Sequence, residues 1–182
     1  MDDDDLRNRV SSLLRVMQVT RLVKDDSIPS QIEEGLYLGS LGAAYNRSGL
    51  KGLNITHVLT VAHSLAPAHP DDFIYKTIDV RDKEDENISQ YFEECFQFIY
   101  EAKAAGGGIL VHCFAGRSRS ATVVVAYLML KNGMSFSEAM EYVKIKRAAA
   151  SPNSGFILQL HEYESALRDA ETKKKRALEL DK

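Results

Sequence analysis

The chain has 182 residues, enough for one compact domain with some excess at its ends. Its hydrophobic fraction is 45% and its charged fraction 27%, the balance of an ordinary globular protein, and a net charge of -3 argues against wholesale nucleic-acid binding. No apolar run reaches the length of a membrane span, so no stable membrane insertion is expected, and the opening "MDDDDLRNRV" lacks the marks of a signal peptide.

Residues 6–24, "LRNRVSSLLRVMQVTRLVK", contain Arg7, Arg9, Arg15, Arg21 and Lys24 and no acid. Leu6, Val10, Leu13, Leu14, Met17 and Leu22 are interleaved with them, the pattern of a basic amphipathic helix. Val10, Met17 and Val23 have the one-eight-fourteen anchor spacing of calmodulin targets, and Leu13, Met17 and Leu22 have one-five-ten. Such a helix fits calmodulin's groove, an anionic membrane surface or the domain's own surface. "SIPS" (27–30) breaks the pattern and marks a boundary, so residues 1–27 read as a possible regulatory segment.

The expected strands are "GLYLG" (35–39), "HVLTVA" (57–62), "FIYKTIDV" (73–80) and "GILVHC" (108–113), all short and rich in Val, Ile, Leu and Tyr. "NISQYFEECFQFIYEAKAAGGG" predicts a helix with Asn87 as N-cap and Gln90 at N3. Phe92, Cys95, Phe96, Ile99 and Ala102 share its inner face, and Gly106 ends it. "SRSATVVVAYLMLKNG" predicts a helix apolar nearly all round, hence buried, ending at Gly133. Ser135 and Glu138 open the next helix as a capping box, and the last helix turns Phe156, Leu160 and Tyr163 inward. Strands mixed with helices predict an α/β fold, and residues 169–182 read as a charged tail. "KKKR" (173–176) suits a nuclear import signal or a solvated surface.

The junction "VHCFAGRSRSAT" carries the chemistry. Loops at the carboxyl ends of strands in α/β domains bind ligands, and backbone N–H groups running into a helix N-terminus converge on anions. Gly116 lets the backbone curl, and Arg119, six positions after Cys113, can return to grip two oxygens of a phosphate. The same positive field favours the Cys113 thiolate, the nucleophilic form. Anion cradle and nucleophile in one loop suit attack on a phosphate ester through a phosphocysteine. His112 and Cys113 are adjacent, so in a strand they face apart and make a poor metal pair; no metal and no cofactor is required. His112 is expected to hold the loop by hydrogen bonds, and Cys95 to pack in the core. Two cysteines make no disulfide framework, and a cytosolic or nuclear address with reduced thiols is the expectation.

"VHCFAGRSRSATVVVAYLM" resembles the His-Cys-x-x-Gly-x-x-Arg-Ser/Thr signature of the cysteine-based protein phosphatases. "GLYLGS", "NITHVLTVA", "YFEECFQFI" and "ASPNSGFILQL" match the dual-specificity branch in the same order, over residues 28–168. The N-terminal segment and the wording of the loop are similar to plant members related to MAP-kinase phosphatases. The resemblance implies a tyrosine-phosphatase-like fold: a mixed, mainly parallel sheet of four to five strands flanked by helices. It implies Cys113 as nucleophile, Arg119 and the amides of Phe114, Ala115, Gly116, Arg117, Ser118 and Arg119 as phosphoryl binders, and Ser120 as hydrogen-bond donor to the departing thiolate. It places a general acid after the third expected strand, where "VRDKEDENI" offers Asp82, Glu84, Asp85 and Glu86. Spacing does not choose among them; alignment of "TIDVRD" and "NISQYF" with the family picks Asp82. Asn153 matches a family position and also reads as a helix N-cap. No role for the Arg117 side chain follows from the residues.

Lipid-directed relatives tend to carry a lysine just after the cysteine, where this chain has Phe114. "AGRSRSAT" also resembles a mitochondrial lipid phosphatase, so a phospholipid substrate is the second enzyme reading. The non-enzyme alternative is a phosphoprotein-binding adaptor. The resemblance implies phosphorylated proteins as partners, MAP kinases among them, and calmodulin is a partner where residues 6–24 take its groove rather than a membrane or the domain's own surface.

Overall fold

The computed structural model describes residues 3–180. Helix α1 spans Asp3–Asp25 and is followed by strands β1 (Ser30–Glu33) and β2 (Leu36–Gly39). Two short helices come next, α2 (Leu41–Tyr45) and α3 (Arg47–Gly52), then β3 (Ile55–Val61) and β4 (Ile74–Ile78). Helix α4 (Phe92–Ala104), strand β5 (Gly108–His112) and helices α5 (Arg119–Asn132), α6 (Phe136–Lys146) and α7 (Ser154–Leu180) complete the chain.

The strands form one sheet in the order β1-β2-β5-β3-β4. β1 is antiparallel to β2, and every other pairing is parallel, so the expected mixed, mainly parallel sheet is present. The two-residue period of a strand explains the layers. Leu36, Leu38, Leu59, Val61, Ile109 and Val111 face one core, shared with α4, α5, α6 and α7. Tyr37, Val58 and Leu110 alternate with them and face a second core with Ala44 of α2 and Leu50 of α3. Parallel strands buried on both faces need such continuous apolar runs. β5 is therefore central and covered on both sides, and all five of its residues are buried.

The four expected strands are present with shifted ends: the second begins two residues early, at Ile55, the third stops at Ile78 and the fourth at His112, which leaves Cys113 as the first residue of the loop. β1, α2 and α3 were not legible. β1 is a four-residue edge strand with one buried residue, Ile32. Its Glu33 carboxylate accepts from Lys103 of α4 and Lys131 of α5, each at 2.7 Å, which ties the sheet edge to the helical layer.

Asn87 accepts the Gln90 N–H at 3.2 Å, but the turn that it opens is 3-10 (Ser89–Tyr91), and α4 proper begins at Phe92. The Gln90 side chain donates to the Asn87 carbonyl rather than accepting the Asn87 N–H, so the box is not reciprocal. The inner face of α4 is as expected, with Phe92, Cys95, Phe96, Ile99 and Ala102 all buried. Gly106 and Gly133 take left-handed φ values of 74° and 64° at the ends of α4 and α5. The Ser135–Glu138 capping box is complete. Helix α7 carries the charged segment onward through Leu180, so Lys173–Arg176 lie on an exposed helical surface.

Candidate active site

The site begins with the buried end of β5. His112 is 3% exposed, and its Nδ1 lies 3.1 Å from the Cys113 carbonyl oxygen. A carbonyl only accepts, so Nδ1 carries the ring proton, and Nε2 accepts from the Thr60 hydroxyl of β3 at 2.9 Å. Burial pushes the His112 pKa down to about 4, which keeps the ring neutral. A neutral ring with both nitrogens engaged ties the start of the loop to Thr60 of β3.

The loop then turns its carbonyl oxygens outward one after another. Phe114 O accepts from Leu41 N–H at 2.9 Å, and Arg117 O from Ser151 N–H at 2.8 Å. Ala115 O and Gly116 O accept from the Arg147 guanidinium at 3.1 and 2.7 Å. Ser118 O accepts from both the N–H and the hydroxyl of Thr122, each at 2.8 Å. In a planar trans peptide the N–H of the next residue points opposite to the carbonyl. The N–H groups of residues 114–119 are therefore aimed into the loop, an anion cradle of backbone donors. Gly116 makes the turn feasible: its φ is 62°, and a Cβ there would collide with the Gly39 carbonyl.

Cys113, 1% exposed, opens the cradle, and Ser120 Oγ donates to its Sγ at 3.2 Å. Arg119, the first residue of α5, folds back so that Nη1 donates to Val80 O at 3.3 Å. Its Nε is buried without a hydrogen-bond partner, 3.7 Å from Asp82 Oδ2. A buried guanidinium donor left unpaired is costly unless a ligand oxygen completes it.

Asp82 sits on the segment after β4 and is fixed from two sides. Its Oδ1 accepts from Ser118 Oγ at 2.7 Å and from Asn153 Nδ2 at 2.9 Å. Ser118 Oγ also accepts the Asn153 N–H at 3.1 Å. Asn153 also caps α7, because its Oδ1 accepts the Phe156 N–H at 2.9 Å. The rest of the acidic segment is latched to α7. Gln159 Oε1 accepts the Ile88 and Ser89 N–H groups at 2.9 and 3.0 Å, and its Nε2 donates to Glu86 O at 2.8 Å. Gly155 packs against the Glu84 backbone so closely that a Cβ there would strike its carbonyl. Asp82, Glu84 and Asp85 are exposed and Glu86 half-buried, and Asp82 is the one of the four acids bonded to Ser118.

The structure thus gathers Cys113, Arg119, Ser120, Ser118, Asp82, Asn153 and His112. The Arg117 side chain is exposed, and its backbone alone serves the loop. Phe114 is 37% exposed at the loop's start. Cys95 lies in the apolar core, and burial pushes its thiol up to about 12, consistent with a packing role. Sequence reasoning missed Thr60, Arg147, Gly155 and Gln159. Gly155 and Gln159 lie inside "ASPNSGFILQL", which was legible as a family stretch but not residue by residue. Arg147 looks like any basic residue at a helix C-terminus.

Known proteins are similar to this chain. Residues 36–166 match the family described as dual specificity phosphatase, catalytic domain. The chain is 55% identical over 166 residues to dual specificity protein phosphatase 1 of Arabidopsis thaliana, covering 91% of this chain and 84% of that protein. It is 45% identical over 140 residues to MAP kinase phosphatase with leucine-rich repeats protein 1 of Dictyostelium discoideum, covering 77% of this chain and 16% of that protein. Its fold superposes on human tyrosine phosphatase-like serine/threonine/tyrosine-interacting protein with a TM-score of 0.73 at 35% identity, over 76% of this chain and 96% of that one. A cysteine in a carbonyl-out cradle, an arginine closing it and an acid beside it agree with those likenesses, and the chain belongs to the dual-specificity phosphatase family.

Proposed function

We propose that the chain hydrolyses phosphotyrosine and phosphoserine or phosphothreonine esters of proteins through a phosphocysteine at Cys113. The observation that carries this reading is the loop itself: six backbone N–H groups turned inward beside Cys113, with the buried Arg119 Nε unpaired. The cradle and Arg119 hold three phosphoryl oxygens and meet the charge that builds on them. The Cys113 thiolate attacks phosphorus, the bond to the ester oxygen breaks, and Asp82 gives that oxygen a proton. Asp82 Oδ2 lies 3.7 Å from Arg119 Nε. A phosphoryl dianion engaging Nε takes over that partner, which leaves the Asp82 carboxyl facing the ester oxygen side of the site. The Asp82 carboxylate then takes a proton from water, which attacks phosphorus. The phosphorus–sulfur bond breaks, inorganic phosphate leaves, and the Ser120 hydroxyl supports the returning thiolate. Hydrolysis of an aryl phosphate by the wild type and by Cys113→Ser is the test; turnover that survives the substitution ends this mechanism and leaves the adaptor reading standing.

Phe114 supports protein over lipid substrates, because it sets an aromatic ring where a lysine would add charge for an inositol phosphate. Faster hydrolysis of a phosphoinositide than of phosphopeptides would reverse that order. MAP kinases are proposed as substrates on the strength of the Dictyostelium relative's name, and a cytosolic or nuclear address, where thiols stay reduced, suits Cys113. A phosphorylated MAP kinase left untouched by active enzyme would remove the first of these.

Calmodulin is proposed as a partner of residues 6–24. The helix is formed, and Val10, Leu13, Leu14 and Met17 are between 47% and 67% exposed rather than packed on the domain. The other anchors, Leu22 and Val23, lie with Leu6 and Arg15 outside the described side chains. Exposed apolar anchors among basic residues suit an acidic, apolar groove. A native-gel shift with calcium and calmodulin is expected, and none would end the proposal.

A further inference from the structure

Arg147 follows the last residue of α6 and is 6% exposed, yet it touches neither the expected nucleophile nor the expected acid. Its Nε donates to Gly116 O at 2.7 Å and its Nη2 to Ala115 O at 3.1 Å. These two carbonyls set the direction of the Gly116 and Arg117 N–H groups, two of the six donors of the cradle. The remaining side of the fork grips a carboxylate. Nη1 and Nη2 reach Asp26 Oδ1 and Oδ2 at 3.2 and 2.5 Å, and Nη1 lies 3.5 Å from Ser30 Oγ. Asp26 directly follows Asp25, the last residue of α1.

A second route joins the same point to the loop. The Asp26 carbonyl accepts from the buried Ser40 hydroxyl at 2.9 Å. The next residue, Leu41, donates its N–H to Phe114 O. The root of the N-terminal helix is thus bonded, through one side chain on each route, to the outer surface of the phosphate loop. A guanidinium this buried needs its counter-charge, and Asp26 is the carboxylate bonded to it.

We propose that Arg147 is a positioning residue for the phosphate loop and that Asp26 makes the root of α1 part of that support. The inference rests on the loop being the phosphate cradle. Arg147 acts through the backbone, so its effect belongs to binding of the transferring phosphoryl group more than to substrate recognition elsewhere. Lysine keeps the charge but cannot reach two carbonyls and a carboxylate at once.

The experiment uses the full chain and orthovanadate, a mimic of the phosphoryl group in flight, as competitive inhibitor of aryl phosphate hydrolysis well below the unfolding temperature. Arg147→Lys is expected to raise the vanadate inhibition constant and lower kcat by about tenfold, with a smaller change in KM, as for a slight misplacement of binding groups. Asp26→Asn, at a part-exposed carboxylate, is expected to do the same about threefold, a fraction of the misplacement. The double variant should be no worse than Arg147→Lys, because Asp26 acts through Arg147. Vanadate inhibition unchanged in Asp26→Asn and Arg147→Lys, whatever their melting temperatures, would make the pair merely structural and overturn the proposal. Multiplying losses in the double variant would overturn the coupling of Asp26 to Arg147. A wild type blind to vanadate would instead strike the cradle reading beneath both. If Arg147→Lys does not fold, Asp26→Asn decides between a raised inhibition constant and an unchanged one.

Discussion

The phosphate loop and the N-terminal helix treat their exposed chemistry in opposite ways. In residues 113–118 every backbone carbonyl is taken by a partner from within the chain, drawn from β5, α2, α5, Arg147 and the segment before α7. What the loop leaves unpaired is a set of donors facing one small space, with Arg119 Nε among them. Helix α1 does the reverse. Its backbone is satisfied internally, and of its described side chains the apolar Val10, Leu13, Leu14, Val16 and Met17 are exposed. The loop is preorganised for a small anion, and the helix carries surface that only a larger partner would cover. Asp26 stands between the two regions, at the root of one and bonded to the support of the other.

Substitutions in the loop's neighbourhood should therefore act on catalysis, and substitutions on α1 on association. The largest effect is expected at Asp82. Asp82→Ala should slow phosphopeptide hydrolysis by about 10²–10⁴-fold, the range of general acid catalysis. An activated aryl ester should lose much less, since its leaving group needs little protonation. Equal losses on both substrates would assign the acid elsewhere. Arg119→Lys keeps a charge but loses the fork, and kcat should fall by about 10²–10³-fold, the scale of one lost transition-state donor. A variant with near wild-type kcat would break the claim that the unpaired Nε is reserved for phosphate.

A third effect concerns stability. His112 is held neutral by burial, at about 4 against an ordinary 6.5. Between those values the unfolded chain binds a proton that the folded chain refuses, so stability is full above about pH 6.5 and is lost as pH falls toward about 4. The whole shift is worth about 3 kcal/mol. Urea unfolding of wild type and His112→Gln across that window should show the wild type losing about that much more on acidification. Parallel curves would mean that the ring is not held neutral. The smallest effect is expected on α1. Leu13→Ala and Met17→Ala should each change folding stability by no more than about 0.5 kcal/mol, as for surface positions, while weakening any calmodulin complex. A large drop in melting temperature would show that this face packs on the domain after all.

What could be read from the chain alone follows the same division. Cys113, Gly116, Arg119 and Ser120 lie within eight residues, so their geometry is local and a loop between a buried strand and a buried helix leaves it little freedom. The core strands were legible because burial on both faces demands continuous apolar runs. β1 was not, because its place depends on pairing with β2 rather than on its own pattern. Arg147, Gly155 and Gln159 were invisible for a related reason. Arg147 meets Gly116 across 31 positions, and Gln159 meets Ile88 across 71. Neither residue type announces such a role. Asn153 was ambiguous between cap and site because one side chain amide does both, its oxygen on α7 and its nitrogen on Asp82.

The account stands on a covalent intermediate at Cys113. Acid-quenching the enzyme during turnover of a radiolabelled phosphopeptide, followed by digestion, measures it directly. Label on the peptide that contains Cys113, and its loss in Cys113→Ser, is the predicted result. Turnover at wild-type rate with no label on that peptide, or label that survives Cys113→Ser, would contradict it.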